Sequence, residues 1–132
     1  MDKIQVAIVG YGNIGSFCTQ AVLAAPDMEL VGIICPEAKT LNLPEFKVVE
    51  ELEDLGGAKI DVAILCVPSR LVTKVAPKYL ERGINTVDPY DVHGVWDTLQ
   101  EMDAHARKGN ASAIISAGWD PGSDSIIRAL ML

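Results

Sequence analysis

The sequence is poor in aromatic residues and contains no long hydrophobic run. Only 5% of its 132 residues are aromatic, although 49% are hydrophobic, so we expect a core built from Val, Ile, Leu and Ala. No apolar stretch approaches the roughly 18 residues that a membrane-spanning helix requires, and this excludes a spanning protein. The length is typical of one domain that buries a core without covalent staples.

Paired cysteines and an excess of positive charge are also missing. The three cysteines, Cys18, Cys35 and Cys66, are odd in number and form no CxxC pair or Cys/His cluster. We therefore predict neither a disulfide scaffold nor a metal site, and we expect each cysteine to be a small buried hydrophobe. Eighteen acidic against 11 basic residues give a net charge of −7, which disfavours binding to nucleic acid or an anionic membrane. No signal peptide opens the chain, so a reducing cytoplasm is the expected location.

Short runs rich in β-branched residues alternate with segments of helical character. Their polar alternation is weak, as expected for parallel strands buried on both faces. This order predicts an α/β fold with a doubly wound parallel sheet of the Rossmann type. The predicted strands span residues 4–9, 30–35, 46–49, 62–67, 84–87 and 113–117, and the predicted helical segments span 14–25, 50–55, 77–82, 95–108 and 123–132.

Three details of the helices follow from local signals. The first helix carries an apolar stripe that includes Ile14, Phe17 and Val22, which we expect to face the core. Pro77 is expected to open the third helical segment, because proline is favoured in the first turn. Gly109 is expected to follow the end of the fourth.

The most informative local motif is GYGNIG, which begins at Gly10. It follows the first predicted strand and opens the first predicted helix, which is the context that a dinucleotide-binding loop requires. Gly10 would permit the tight turn, Gly12 the approach of a pyrophosphate, and Gly15 the close packing of helix on strand. The helix N-terminus, with the N–H groups of Asn13 and Ile14, would bind the anion despite the net charge. The alternative is a tight turn that holds no ligand.

The residue that reads the adenosine ribose is expected just after the second strand. An Asp or Glu there accepts from the 2′-hydroxyl of NAD, whereas a nearby Arg accommodates the 2′-phosphate of NADP. Glu37 follows Gly15 by 22 residues, and Lys39 is the only nearby cation. Glu37 is therefore a candidate cofactor-binding residue, with a solvated loop acid as the alternative.

Ligands of a doubly wound sheet bind outside the carboxyl ends of the strands, so the residues that follow the later strands are further candidates. A turn after the strand at 62–67 is predicted to pass close to the cofactor, and its candidate residues are Cys66, Val67, Pro68 and Ser69. Two carboxylates, Asp88 and Asp91, follow the next strand, and Asp120 follows the last one. Carboxylates can hold an ammonium group and accept a proton when a C–N bond is oxidised. Taken singly, Asp88 and Asp120 are equally well explained as turn-forming or helix-capping acids, and Asp91 is better explained as an acid at a helix entry.

Four stretches carry a family resemblance. They are VAIVGYGNIG from Val6, PDMELVGI from Pro26, TVD from Thr86 with the following Tyr90, Asp91 and His93, and SAGWDPG from Ser116. In this order they resemble the amino-terminal half of the meso-diaminopimelate dehydrogenase family. The resemblance implies that residues 1–132 are the dinucleotide-binding domain of a longer two-domain, homodimeric enzyme, whose substrate and dimerisation domain is absent from this chain. The apolar end of the predicted last helix fits a chain that stops inside or just after that helix.

The resemblance also implies an activity, the oxidative deamination of meso-2,6-diaminopimelate at its D-configured centre. The products would be 2-amino-6-oxopimelate, ammonia and the reduced nicotinamide cofactor. By motif position, Asp88 and Asp120 would act at the reacting amino group. Trp119, Asp91 and Gly118 would bind the substrate.

Two further expectations concern the choice of cofactor and the catalytic activity of this chain alone. Family members carry an arginine pair that grips the 2′-phosphate of NADP, and Pro36 and Glu37 stand at the corresponding place here. The cofactor is thus NADP by resemblance and NAD by Glu37. The chain alone is expected to bind cofactor without turnover, because proximity and the exclusion of water depend on the second domain. Two alternatives remain open, namely another amino-acid or opine-type dehydrogenase and a non-catalytic Rossmann-type nucleotide sensor.

Overall fold

The computed structural model describes residues 1–92, 94–118 and 122–132. The strands are β1 (Ile4–Val9), β2 (Met28–Ile34), β3 (Val48–Val49), β4 (Val62–Leu65), β5 (Asn85–Val87) and β6 (Ala113–Ile114). The α-helices are α1 (Asn13–Ala24), α2 (Ser69–Leu80), α3 (Val95–Gly109) and α4 (Ser123–Leu130), and a 3₁₀ turn spans Leu52–Leu55. The strand order is β3-β2-β1-β4-β5-β6. This is the order of a doubly wound dinucleotide-binding sheet, and the predicted fold class is confirmed.

The chain divides into two compact units, and the first spans Met1–Cys66. In it β1 lies between β2 and β4, and both pairings are parallel. Its core is aliphatic, with the fully buried side chains Val6, Ile8, Val22, Ile33 and Cys35. Burial of each large aliphatic side chain stabilises the fold by about 1.5–3 kcal/mol, so the scarcity of aromatic residues is no obstacle to a stable core.

The predicted buried face of α1 is wrong in part. Val22 is buried, but Ile14 is 56% and Phe17 71% exposed. The face that packs inward carries Gly15 and Thr19, and the Thr19 hydroxyl donates to the Gly15 carbonyl at 2.8 Å. The close approach of Gly15 to the backbone of the glycine loop sets the rotation of the helix, and this constraint outweighs the apolar stripe.

The second unit spans Val67–Leu132. Within it β5 and β6 are parallel, with Thr86 opposite Ala113 and Val87 opposite Ile114. The sixth strand is shorter than predicted, because Ser116 adopts a left-handed conformation with φ of +61°. Helix α4 forms where the sequence predicts it, and it buries none of its own residues. No helix in the described ranges is long and apolar enough to cross a membrane.

Two helix ends differ from the prediction. Helix α2 starts at Ser69 and carries Pro77 in its interior, whereas the sequence predicted that Pro77 would open a helix. Four buried side chains, Val72, Ala76, Tyr79 and Leu80, form the face that stabilises it despite the proline. Gly109 is the last residue of α3 rather than the one after it. A Cβ on Gly109 would collide with the Leu80 carbonyl oxygen, so close packing of the two helix ends requires this glycine.

Candidate functional site

The glycine loop connects β1 to α1 as predicted. Gly10 takes a φ of +89°, which favours glycine, and its N–H donates to the Ile34 carbonyl at 2.8 Å. The first helical hydrogen bond joins the Ser16 N–H to the Gly12 carbonyl at 3.0 Å. The loop therefore turns sharply from the strand into the helix, at the carboxyl ends of β1 and β2.

Gly12 and Gly15 serve different purposes in this loop. A Cβ on Gly15 would meet the Gly10 carbonyl oxygen, so the fold itself requires a glycine there. A Cβ on Gly12 would meet no atom within 4 Å, and the protein's own packing gives no reason for a glycine. The N–H groups of Asn13 and Ile14 have no intrahelical acceptors at this helix start, where the dipole is positive. The open space beside Gly12 and these donors together fit a pyrophosphate.

Replacing Gly15 with alanine is expected to destabilise the chain by about 1–3 kcal/mol. The added methyl group would collide with the Gly10 carbonyl oxygen, so α1 or the loop must shift. The measurement is a urea titration, in which the midpoint should fall while the m-value stays constant. An unchanged midpoint would show that the loop accommodates the methyl group and that Gly15 does not set the packing.

Glu37 lies in a turn directly after β2. Its carbonyl accepts the N–H groups of Thr40 at 2.9 Å and Leu41 at 3.1 Å, and the Thr40 hydroxyl at 2.9 Å. Its side chain is exposed, whereas Cys35 beneath it is fully buried. The backbone of Glu37 is therefore held firmly at the carboxyl end of β2, which is where sequence spacing placed the ribose-reading residue.

Cys66 lies at the end of β4, and its N–H donates to the Val9 carbonyl at 2.7 Å. Burial and the neighbouring Cys18 thiol raise the pKa of the Cys66 thiol to about 12, so it stays neutral. Cys18 and Cys66 are partly buried rather than fully buried as predicted, and both pack against the core cluster. Cys66 therefore contributes packing beneath the glycine loop.

A short connection after Cys66 leads directly into α2. Pro68 is the cap residue and Ser69 the first helical residue. The Ser69 hydroxyl accepts the N–H of Asp91 at 2.9 Å. Ser69 thus holds the loop after β5, while Val67 is half-buried and Pro68 exposed.

Asp88, which follows β5, is a carboxylic acid in an unusually buried position. It is 1% exposed, and its Oδ1 accepts the Tyr90 N–H at 2.9 Å. Burial raises the pKa of Asp88, although the N–H groups of Tyr90 and Ser116 partly oppose this. Its Oδ2 has no hydrogen-bond partner within the described part of the chain, and neither has the hydroxyl of Thr86 two residues earlier. A buried carboxyl with one oxygen unsatisfied is costly for stability and well suited to binding or proton transfer.

Hydrogen bonds among nearby residues hold the segment around Asp88 in place. Tyr90 is buried, and its hydroxyl pairs with that of Thr98 at 3.0 Å. The Ser116 hydroxyl donates to the Tyr90 carbonyl at 2.7 Å. Asp91, in contrast, is exposed. Sequence reasoning missed Thr86 and Ser116. The signal for Thr86 was a hydroxyl two residues before Asp88, but no local pattern predicts the left-handed backbone of Ser116.

Gly118 and Gly122 contact each other just before α4. Gly122 forms a bridge with Gly118, and the Ser123 N–H donates to the Gly118 carbonyl at 3.0 Å. The φ of Gly122 is +142°, and a Cβ there would collide with the Gly118 carbonyl oxygen. Trp119 and Asp120, which the sequence assigned to the substrate site, lie outside the described residues, as does His93.

Comparisons with known proteins identify the family and the fold. Residues 4–111 match the model of an oxidoreductase family with an NAD-binding Rossmann fold. The chain is 48% identical to the meso-diaminopimelate D-dehydrogenase of Bacteroides fragilis, an alignment that covers 99% of this chain and 44% of that enzyme.

Two solved structures are similar along nearly the whole chain. The diaminopimelate dehydrogenase of C. glutamicum in complex with diaminopimelate superposes with a TM-score of 0.85 at 38% identity, over 98% of this chain and 41% of the other. An engineered D-amino acid dehydrogenase bound to NADP⁺ superposes with a TM-score of 0.83 at 37% identity, over 97% and 40%. The chain spans about two-fifths of the length of the curated dehydrogenases that it matches. It belongs to the oxidoreductase family with an NAD-binding Rossmann fold, and it is homologous to the meso-diaminopimelate dehydrogenases.

Proposed function

We propose that this chain is the nicotinamide-dinucleotide-binding part of a dehydrogenase that deaminates meso-2,6-diaminopimelate at its D-configured centre. The single observation that carries the proposal is the buried carboxyl of Asp88, whose Oδ2 lacks a partner within the described residues. Such a group follows a strand of a nicotinamide-binding fold, where ligands of these sheets bind. The homology to enzymes of this name supplies the substrate class.

The residues present fit the cofactor. Gly10 makes the turn, Gly12 leaves space for the pyrophosphate, and Gly15 brings α1 close to β1. The free N–H groups of Asn13 and Ile14 would donate to the phosphate oxygens, and Glu37 would accept from the ribose. When bound, the nicotinamide group supplies the acceptor for a hydride from the substrate carbon.

Asp88 is proposed to hold the reacting amino group. Its Oδ2 would accept a hydrogen bond from the substrate ammonium, in a site from which the protein excludes water. Because burial raises the pKa of Asp88, the carboxylate is a better proton acceptor than an exposed aspartate would be. It would take up a proton as the amino group becomes neutral.

The remaining substrate residues are assigned by motif. Asp120 would provide the second carboxylate at the amino group, and Trp119 would line the pocket. Gly118 and Asp91 would contact the substrate from the loops that carry them. Val67, Pro68 and Ser69, with Cys66, would border the cofactor.

The whole enzyme is proposed to need more than this chain. Because the matched dehydrogenases are more than twice as long, we place the groups that bind the distal end of the substrate, and the contacts of a homodimer, outside residues 1–132. We place its activity in the cytoplasm. This chain alone is then expected to bind cofactor without turnover.

The proposal is tested with the full-length enzyme, NAD⁺ or NADP⁺, and the separate stereoisomers of diaminopimelate. We expect reduced cofactor and ammonia in equal amounts from the meso isomer and none from the LL isomer, which has no D-configured centre. The 132-residue chain, assayed in parallel, should produce neither. Oxidation of the LL isomer, or cofactor binding without oxidation of any amino acid, would contradict the proposal.

A further inference from the structure

We infer that this chain selects NAD(H) over NADP(H), through the carboxylate of Glu37 and the absence of a free cation beside it. The inference rests on the proposed cofactor-binding function. It concerns only residues of the first unit, near the carboxyl ends of β1 and β2.

Glu37 lies two residues after Cys35, which is only 1% exposed. The Glu37 carbonyl closes the turn by accepting the N–H groups of Thr40 and Leu41. Burial first, and then the nearby Glu37 carboxylate, raise the pKa of Cys35. The turn therefore holds Glu37 directly after the end of β2, and the preceding Pro36 does not displace it.

The turn with Glu37 and the glycine loop lie at the same edge. β1 and β2 are parallel neighbours, and Val9 pairs with Ile34 at their ends. The Gly10 N–H also donates to the Ile34 carbonyl. A dinucleotide whose pyrophosphate lies on the glycine loop thus places its adenosine ribose at the end of β2.

The nearest lysine is engaged elsewhere. Lys39 is the only Lys or Arg from Cys35 to Phe46, and its Nζ lies 3.1 Å from a carboxylate oxygen of Glu50. The next cation, Lys47, lines a surface depression with Pro26 and Glu29, which lie before and near the start of β2. A 2′-phosphate at the end of β2 would therefore meet a carboxylate, and the one cation of this segment, Lys39, is paired with Glu50.

The Lys39–Glu50 pair is exposed, and such pairs contribute at most about 1 kcal/mol. It holds Lys39 weakly, so loss of Glu50 should release the lysine towards the ribose end. Glu50 is therefore a second position at which the inference can be tested, besides Glu37, and it does not touch the ribose.

The experiment is a calorimetric titration of the chain with NADH and with NADPH. We expect NADH to bind about tenfold more tightly, which corresponds to about 1.4 kcal/mol. A ratio of threefold or less, or a preference for NADPH, would overturn the inference and leave the proposed function intact. Failure of both cofactors to bind would overturn the proposed function together with the inference.

Three variants separate the charge of Glu37 from general effects. Glu37→Gln should bring the two affinities to within threefold, because it removes the negative charge and keeps the size. Glu50→Gln should tighten NADPH binding severalfold and leave NADH unchanged, because it frees Lys39. Glu45→Gln is the matched control in the same segment, and it should preserve the wild-type ratio. An unchanged ratio in Glu37→Gln, or an equal change in Glu45→Gln, would overturn the assignment to Glu37.

Discussion

Replacing Asp88 with asparagine in the full-length enzyme is expected to lower kcat for meso-diaminopimelate by about 10³-fold. A positioned proton acceptor contributes roughly 10²- to 10⁴-fold to the rate, and asparagine can neither take up the proton nor pair with an ammonium charge. The substitution keeps an oxygen that can accept the Tyr90 N–H. The loss should therefore come from chemistry rather than from a rearranged loop. Steady-state kinetics with the meso isomer measure it.

The same substitution is expected to stabilise the 132-residue chain at neutral pH, because it removes a charge from a buried position. Because burial raises the pKa of Asp88 above the ordinary 3.8, the folded state binds this proton more tightly than the unfolded state. The contribution of Asp88 to stability is therefore most favourable below pH 3.8, and it declines as the pH rises through the raised folded-state pKa. The Tm advantage of Asp88→Asn should be small near pH 4 and full at pH 7.

The control for both measurements is Glu101→Gln, which makes the same charge change at an exposed position of α3. It should leave kcat unchanged and give no comparable gain in Tm. If Asp88→Asn retains kcat within tenfold, Asp88 is not the proton acceptor. If it lowers the Tm at pH 7, the carboxylate is satisfied in the fold and its burial carries no penalty.

Replacing Gly12 with leucine is expected to weaken NADH binding by more than 100-fold while the fold survives. The side chain would enter the space that no protein atom occupies within 4 Å, where the pyrophosphate is proposed to lie. The backbone of Gly12, with φ of −89° and ψ of −155°, is accessible to leucine. Because Gly12 is the cap residue of α1, the free energy of unfolding should change by no more than about 1 kcal/mol. Calorimetric titration and urea denaturation measure the two effects.

Gly57→Leu is the matched control for this substitution. Gly57 lies in the same unit, and a Cβ there also meets no atom within 4 Å. We expect its NADH affinity to stay within about twofold of the wild type. If Gly12→Leu also retains its affinity, the loop is a structural turn; if both variants lose binding, the effect of leucine is general.

The glycine loop could be predicted from sequence because its determinants are local. Gly10, Gly12 and Gly15 stand in fixed spacing between a β-branched run and a helix, and each has a separate physical purpose. The doubly wound parallel fold class follows from the alternation of strands and helices. The face of α1 could not be predicted in the same way, because the contact of Gly15 with the Gly10 carbonyl outweighs the apolar residues Ile14 and Phe17.

The burial of Asp88, in contrast, could not be predicted from local sequence. Asp88 was one of several acids beside turns, and only the tertiary structure reveals that it is buried with one oxygen unsatisfied. Its support includes Ser116, which has a left-handed backbone and whose hydroxyl donates to the carbonyl of Tyr90, 26 residues earlier in the chain. Pro77 was likewise misinterpreted, because the buried side of α2 stabilises a helix that local propensity would interrupt.

The glycine loop of this chain is proposed to bind a nicotinamide dinucleotide, and backbone amide NMR during an NADH titration tests this claim most directly. The amide resonances of Gly12, Asn13 and Ile14 should shift most, together with that of Glu37, and those of α4 should stay in place. Saturation with NADH that leaves the loop amides unmoved, or shifts centred on another part of the chain, would contradict the claim.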